Sequence, residues 1–217
     1  IIDTAAQNLS LEDNLEDDTR ARYEKILRAT QRMSILLDNY LDESRFTLLR
    51  RGIQQLPCSL ENLMQEAVEA ARLIANDHRF VVETDELPER FVCDPDMTRL
   101  VLSNLADNAV KYTPPGTLIR LCGHRVGDRT SDGIILQVID NALGFEPEDA
   151  ARAFEMHYRG SKDADKPGTG MGLPLARRMI EMQGGTLTLS SHKGQGSCFT
   201  IWLPGMTSTG RLQEDRQ

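Results

Sequence analysis

The first 46 residues of the chain carry a heptad pattern. After Thr19, positions on one helical face recur at alternating intervals of four and three residues, namely Ile26, Thr30, Met33, Leu37 and Tyr40. This spacing is typical of a coiled coil or a helical bundle. Residues 1–11 fit the end of a preceding helix, and the acidic residues 12–18 fit a connecting loop. The pattern therefore predicts a helical hairpin over residues 1–46.

A hairpin of two helices is too small to bury its own hydrophobic stripe. Dimerisation into a four-helix bundle would cover the stripe, and this is the arrangement that we expect. The alternative is that the hairpin packs against the domain that follows it.

From about residue 53 the pattern changes to short strands and amphipathic helices. Helices are predicted after the capping residues Ser59 and Asp94, from Pro147, and over 171–182. Strands are predicted at 80–83, 91–93, 117–126, 134–140, 185–191 and 197–203. Short turns between neighbouring strands predict a mixed, largely antiparallel sheet with helices on one face. Residues 53–204 are thus predicted to form an α/β sandwich of the α+β class, and residues 205–217 a polar C-terminal tail.

Composition narrows the function classes. A net charge of −8 argues against broad binding to nucleic acid or to an anionic membrane, because both need a basic face. Four separated cysteines without a CxxC pair indicate reduced thiols rather than a zinc site. No hydrophobic run approaches the ~20 residues that span a bilayer. The chain begins with Ile1 inside a predicted helix, so we expect it to be part of a longer protein.

A polar stripe lies beside the hydrophobic stripe of the predicted helix after Asp94. Asn104, Asn108 and Lys111 follow one another at intervals of four and three residues, which places them along one edge of the helix. Asparagine is unfavourable within helices, so its repetition calls for a reason. Two carboxamides and an ammonium group can hold a cation and phosphate oxygens. A solvated helix face explains the same residues about equally well.

Two further motifs combine strand or helix ends with glycine. The hydrophobic strand 134–140 ends at Asp140, and Gly144 follows it. This arrangement indicates either a turn or a ligand site. In the second motif, alternate glycines from Gly168 to Gly172 lead into a predicted helix, where backbone N–H groups can approach a phosphate. Taken alone, this motif is also consistent with a flexible linker.

Four motifs in order give the chain a specific resemblance. The segments are NLADNAVKY, DNALGF, F-x-x-x-YRG and GTGMGL. They resemble the N, G1, F and G2 boxes of sensor histidine kinases, whose ATP-binding fold is shared with gyrase-type and MutL-type ATPases and with large heat-shock chaperones. The resemblance covers roughly residues 60–204, and the hairpin resembles the second part of a dimerisation and phosphotransfer domain.

The resemblance implies a role for individual residues in binding ATP and Mg²⁺. Asn108 is similar to the Mg²⁺ ligand of the family, with Asn104 beside it, and Lys111 to a phosphate contact. Asp140 resembles the carboxylate that accepts a hydrogen bond from the adenine amino group, and Gly144 the glycine that lets the ring approach. The remaining ATP-binding residues implied by the motifs are Tyr112, Arg159, Gly168, Thr169, Gly170, Gly172 and Leu173. Residues between Arg159 and Gly168 would form a lid.

The implied activity is transfer of the γ-phosphoryl group of ATP to a histidine, and then to an aspartate of a response regulator receiver domain. Homodimerisation through the hairpin, a cytoplasmic location, and attachment of the full-length protein to the bacterial inner membrane through segments absent from this chain are also implied. A phosphatase-biased member or a non-catalytic ATP-binding scaffold is the alternative. A related ATPase or serine kinase fits less well because of the heptad hairpin.

Two departures from the family pattern stand out. The family phosphorylates a histidine on the first hairpin helix, whereas the first histidine here is His78. We therefore expect the acceptor upstream of Ile1 and no catalytic residue within the chain. The second departure is Ala142, where the family usually has glycine. If this position required a positive φ, alanine would cost on the order of 1 kcal/mol.

Overall fold

The computed structural model of the chain describes residues 46–75, 77–127, 132–160 and 168–205. The predicted hairpin and C-terminal tail lie almost entirely outside these ranges, so their structures stay predictions. A helical segment over residues 46–51 opens the described part.

Seven strands and four helices follow this segment in the described ranges. The strands are β1 (Leu56–Cys58), β2 (Arg79–Asp85), β3 (Phe91–Cys93), β4 (Leu118–Val126), β5 (Gly133–Asp140), β6 (Thr186–His192) and β7 (Gly196–Pro204). The helices are α1 (Leu60–Ile74), α2 (Pro95–Tyr112), α3 (Pro147–Arg152) and α4 (Gly172–Met182).

Five of the strands form one mixed sheet in the order β2-β4-β5-β7-β6. Strands β2 and β4 are parallel, and the other neighbours are antiparallel. This confirms the predicted α/β sandwich with a largely antiparallel sheet. Strand β1 was not predicted; it has only three residues, contains Pro57, and pairs with β3 in a separate two-stranded sheet. So short a segment has no detectable alternation, and only its pairing with β3 makes it a strand.

The hydrophobic core lies between one sheet face and the helices. Residues of β4 and β5 alternate between buried and partly exposed, as expected for a sheet covered on one side. The predicted hydrophobic stripe of α2 is confirmed, since Met97, Val101 and Leu105 are fully buried. Helix α2 packs against both α1 and α4, so it is the central helix of the layer.

The start of α2 is held by a fully buried carboxylate, that of Asp94. Its Oδ1 caps the helix by accepting from the Met97 N–H at 3.0 Å. Arg51 Nη2 donates to both carboxylate oxygens at 2.9 and 2.7 Å. The Gln54 N–H donates to Oδ2 at 2.8 Å, and the Asp94 N–H donates to Gln183 Oε1 at 2.8 Å. One residue thereby joins the segment before β1, the start of α2 and the end of α4.

Removing the Arg51 cation should destabilise the fold, because the Asp94 carboxylate would stay buried without its charged partner. For Arg51→Met we expect the free energy of unfolding in urea to fall by about 1–3 kcal/mol. The lower end of this range is expected, since the Arg51 side chain is 25% exposed. Arg125→Met is the matched control: Arg125 pairs with Asp132 at 2.6 Å, but both side chains are exposed, so its unfolding midpoint should not change. Equal effects of the two substitutions would contradict the role given to Asp94.

Candidate functional site

A pocket opens between the end of α2, the end of β5 and the start of β7. It contains about 320 Å³ of space not filled by protein atoms, including the part open to solvent. Its lining residues are Asn108, Ala109, Tyr112, Thr113, Asp140, Gly144, Phe145, Ser197 and Phe199. Four of the predicted site residues, Asn108, Tyr112, Asp140 and Gly144, are therefore brought together here.

Asp140 provides a buried acceptor in this pocket. The residue is 8% exposed and ends β5, where it lies opposite Ser197 in the antiparallel register. Burial raises the pKa of its carboxyl group, and hydrogen bonds from the Ala142 N–H and from Ser197 partly oppose this rise. The Ala142 N–H donates to Oδ1 at 3.0 Å. A carboxylate of this kind can accept a further hydrogen bond from a ligand N–H group in a site with little competing water.

The loop that follows β5 forms a turn and also borders the pocket, because Asp140 and Gly144 line it. Asn141 Oδ1 accepts from the Leu118 N–H at 3.3 Å, which ties the end of β5 to the start of β4.

Among the described non-glycine residues, a positive φ occurs at Glu86 and His157. Ala142 is not one of them, so the condition for its expected strain is not met. The backbone conformation at Ala142 therefore gives no reason to expect weaker ligand binding.

The neighbouring β6–β7 hairpin requires a glycine at position 144, whether or not a ligand also needs the space. It adopts a φ of +65°, and a β-carbon there would stand 2.8 Å from the Gly196 carbonyl oxygen and closer still to that of His192. The loop is held to the β6–β7 hairpin by two bonds. The Phe145 N–H donates to Ser191 Oγ at 2.8 Å, and the Gly194 N–H donates to the Leu143 carbonyl oxygen at 2.6 Å.

The polar stripe of α2 runs from the pocket towards the glycine-rich motif. Asn108 lines the pocket, whereas Asn104 is buried beside Gly172, where an added β-carbon would collide with Asn104 Oδ1. Lys111 Nζ lies 5.5 Å from the Tyr112 ring centroid. A β-carbon at Gly168 would stand 2.7 Å from the same Nζ atom. The predicted stripe therefore contacts both the first and the last glycine of the motif.

The remaining predicted site residues lie before and after residues 161–167 in the sequence. Residues 161–167 make up most of the predicted lid and lie outside the described ranges. The His157 N–H donates to the Gly170 carbonyl oxygen at 3.2 Å, which joins the F-x-x-x-YRG and GTGMGL motifs. Thr169 is partly exposed, and Leu173 packs against the core. Arg159 is partly exposed and does not line the described pocket. Its role therefore stays a prediction.

Five pocket residues were not among the predicted site residues: Ala109, Thr113, Phe145, Ser197 and Phe199. The Phe145 and Phe199 rings meet edge to face with centroids 6.2 Å apart, and they form an aromatic wall. Thr113 directly follows the last residue of α2, and its Oγ1 lies 3.1 Å from His78 Nε2. Ser197 could have been found only from the β5–β7 register, which places it opposite Asp140.

The described residues show neither a metal-binding cluster nor a membrane-spanning helix. In the described ranges, no group of three or more His, Cys, Asp or Glu side chains is placed to bind a metal ion. Within those ranges, no helix has the length and hydrophobicity that crossing a membrane would require.

The raised pKa of Asp140 gives a pH-dependent stability prediction. When the pKa of a carboxyl group is higher in the folded state than in the unfolded state, the free energy of unfolding falls as the pH rises from the unfolded-state pKa to the folded-state pKa. We therefore expect the unfolding free energy of Asp140→Asn, relative to the unsubstituted protein, to increase from about pH 4 upwards and then level off. Urea denaturation at several pH values measures this difference. A decrease over the same range would show that the pocket favours the ionised carboxylate in the absence of ligand.

Comparison with known proteins identifies the family. Residues 93–206 match the family described as "Histidine kinase-, DNA gyrase B-, and HSP90-like ATPase". The chain is 32% identical over 178 residues to the circadian input-output histidine kinase CikA of Synechococcus elongatus, covering 79% of this chain and 23% of that protein. It is 30% identical over 200 residues to the sensor-like histidine kinase SenX3 of Mycobacterium tuberculosis, covering 88% and 47% respectively. The chain thus spans less than half the length of either relative.

Solved structures agree on the fold. The mycobacterial sensor histidine kinase MprB superposes with a TM-score of 0.61 at 23% identity, covering 70% of this chain and 98% of that one. Full-length ShkA in complex with AMPPNP gives a TM-score of 0.68 at 22% identity, covering 95% and 43%. The identification made from the four motifs is confirmed: the chain belongs to the histidine kinase-, DNA gyrase B- and HSP90-like ATPase family, and the relatives named here are histidine kinases.

Proposed function

We propose that this chain binds Mg-ATP in the pocket and supplies the ATP-binding part of a sensor histidine kinase. The observation that carries the proposal is the buried Asp140 carboxylate, which shares one pocket with Asn108 and lies beside a polar stripe that reaches the glycine-rich motif. The buried acceptor suits the adenine amino group, the aromatic wall suits the adenine ring, and the cationic edge suits the phosphates.

Asp140 would recognise the adenine ring through its exocyclic amino group. The ionised carboxylate accepts a hydrogen bond from that group, and neighbouring apolar groups cover the ring faces. Phe145, Phe199 and Ala109 line the same pocket and supply this apolar surface. A site that pairs a ligand N–H with a buried acceptor discriminates against purines lacking the group, since the acceptor would otherwise stay unsatisfied.

The phosphates would extend along the polar stripe towards α4. Lys111 offers a cation close to Gly168, and α4 begins at Gly172 without a side-chain cap. The N–H groups of the first turn of α4 are thus suited to an anion. Phosphoryl transfer depends mainly on positioning and charge neutralisation, which these groups would supply.

The donor set also suits Mg²⁺ held jointly with the nucleotide. Mg²⁺ prefers oxygen ligands and commonly takes only one or two from the protein beside substrate phosphates and water. The carboxamide oxygen of Asn108 is such a ligand, with Asn104 one helical turn away. The ion, when bound, would neutralise phosphate charge.

The phosphoryl acceptor is proposed to be a histidine on the first helix of the predicted hairpin, upstream of Ile1. Among the described residues, His78 lies between Asp77 and Thr113, and the His157 backbone is bonded to Gly170. Together with His124 and His192, these histidines all lie outside the predicted helical hairpin of residues 1–46, so an acceptor upstream of Ile1 is part of this proposal. The further partners are a response regulator receiver domain and a second copy of the chain. The full-length protein is proposed to act at the inner membrane, with this part in the cytoplasm.

Nucleotide binding is tested by calorimetric titration of Mg-ATP into Asp140→Asn. Loss of a charged acceptor for the adenine amino group should weaken binding by roughly 10- to 100-fold. Asp85→Asn is the matched control, because Asp85 also ends a strand but is exposed. Its affinity should match that of the unsubstituted chain. Unchanged affinity in Asp140→Asn would overturn the assignment of the pocket.

Phosphoryl transfer is tested separately, by incubating labelled ATP with a protein that includes the residues upstream of Ile1. We expect an acid-labile, base-stable phosphoprotein that passes its label to a receiver domain. Nucleotide binding without any label would reject the kinase proposal and favour the non-catalytic scaffold.

A further inference from the structure

Two cysteines of the small sheet lie in direct contact. Cys58 ends β1 and Cys93 ends β3, and the register pairs Cys58 with Phe91 and Leu56 with Cys93. Both thiols therefore project from the same face of the sheet as a diagonal cross-strand pair. Their Sγ atoms are 3.3 Å apart. A disulfide bond needs about 2.05 Å between the sulfurs, so closure must bring them about 1.2 Å closer together.

The two thiols differ in their surroundings. Cys93 is 3% exposed, and burial raises the pKa of its thiol to about 12. Its Sγ also accepts from Thr98 Oγ1 at 3.6 Å. Cys58 is only partly buried, and its Sγ lies 3.5 Å from the Phe91 carbonyl oxygen. An oxidant from solvent would therefore reach Cys58 first. The Cys93 thiol stays protonated and is a poor nucleophile by itself, and it is its 3.3 Å contact with Cys58 that places it to react with the product.

We propose that Cys58 and Cys93 form a reversible intrachain disulfide when the protein meets hydrogen peroxide. In the first step the Cys58 thiolate attacks one peroxide oxygen and the O–O bond breaks, so Cys58 becomes a sulfenic acid. The departing hydroxide takes up the proton that the Cys58 thiol gave up and leaves as water. In the second step the Cys93 sulfur attacks the Cys58 sulfur, the S–O bond breaks, and a second water leaves with the Cys93 proton. Two thiols are oxidised by two electrons, and one peroxide is reduced to two waters.

The position of the pair gives the bond a structural consequence. Strand β1 follows the segment 46–51 that carries Arg51, and Cys93 directly precedes Asp94. The segment is already joined to Asp94 by the two Arg51 hydrogen bonds. Oxidation would add a covalent bond between the same two parts of the chain. Oxidised protein should therefore hold the segment before the ATP-binding region more firmly against the start of α2.

The proposal is tested by treating the whole chain with hydrogen peroxide, blocking remaining thiols and measuring the intact mass without reductant. We expect a loss of about 2 Da, the two thiol hydrogens, that a reductant reverses. Peptide mapping should find Cys58 joined to Cys93. A gain of about 16 Da or its multiples without this loss, or a bond to a different cysteine, would overturn the proposal.

Single substitutions separate the two steps. In Cys93→Ser the sulfenic acid at Cys58 has no partner, so dimedone should trap it. In Cys58→Ser the buried Cys93 should lose most of its reactivity towards peroxide. Cys122→Ser combined with Cys198→Ser is the matched control, and it should form the disulfide at the unsubstituted rate. If peroxide oxidised Cys93 at the same rate in Cys58→Ser as in the unsubstituted chain, the proposed order of attack would be wrong.

Discussion

The buried Asp94 carboxylate is the contact on which the arrangement of the described helices depends. It caps α2, receives Arg51 from the preceding segment, and its own N–H group donates to Gln183 at the end of α4. A fully buried charge is tolerated only when its oxygens are satisfied, so these elements must keep their positions together. This requirement holds the start of α2 and the end of α4 together. The candidate site lies towards the other ends of the same two helices.

The same two helices carry the chemistry at their opposite ends. Along α2, Asn108 lies fourteen residues after Asp94, or about 21 Å at the rise of an α-helix. Along α4, Gly172 opens the helix beside Asn104, and Gln183 follows its last residue. The candidate site is therefore built on two helices that are anchored to each other at their opposite ends.

Sequence reasoning succeeded where one element carries its own signal. Helical periodicity predicted the stripe on α2, and the hydrophobic pattern placed Asp140 at the end of a strand, where the structure has it. It was incomplete where residues distant in the chain decide the outcome. Ser197 and Phe199 enter the pocket only through the pairing of β7 with β5, and Gly144 is constrained by the turn of the β6–β7 hairpin. The possible strain at Ala142 could not be judged without its φ value.

By itself, the sequence determined the order of the described elements other than β1, the caps at Ser59 and Asp94, and the four motifs that identify the family. These features are local, because they depend on the spacing and side-chain chemistry of neighbouring residues. Tertiary structure alone decided which residues share the pocket, which backbone atoms exclude a side chain at Gly144, and which thiols touch. Those facts depend on strand register and helix packing, which bring together residues that are far apart in the chain and carry no mark of their contact in the local sequence.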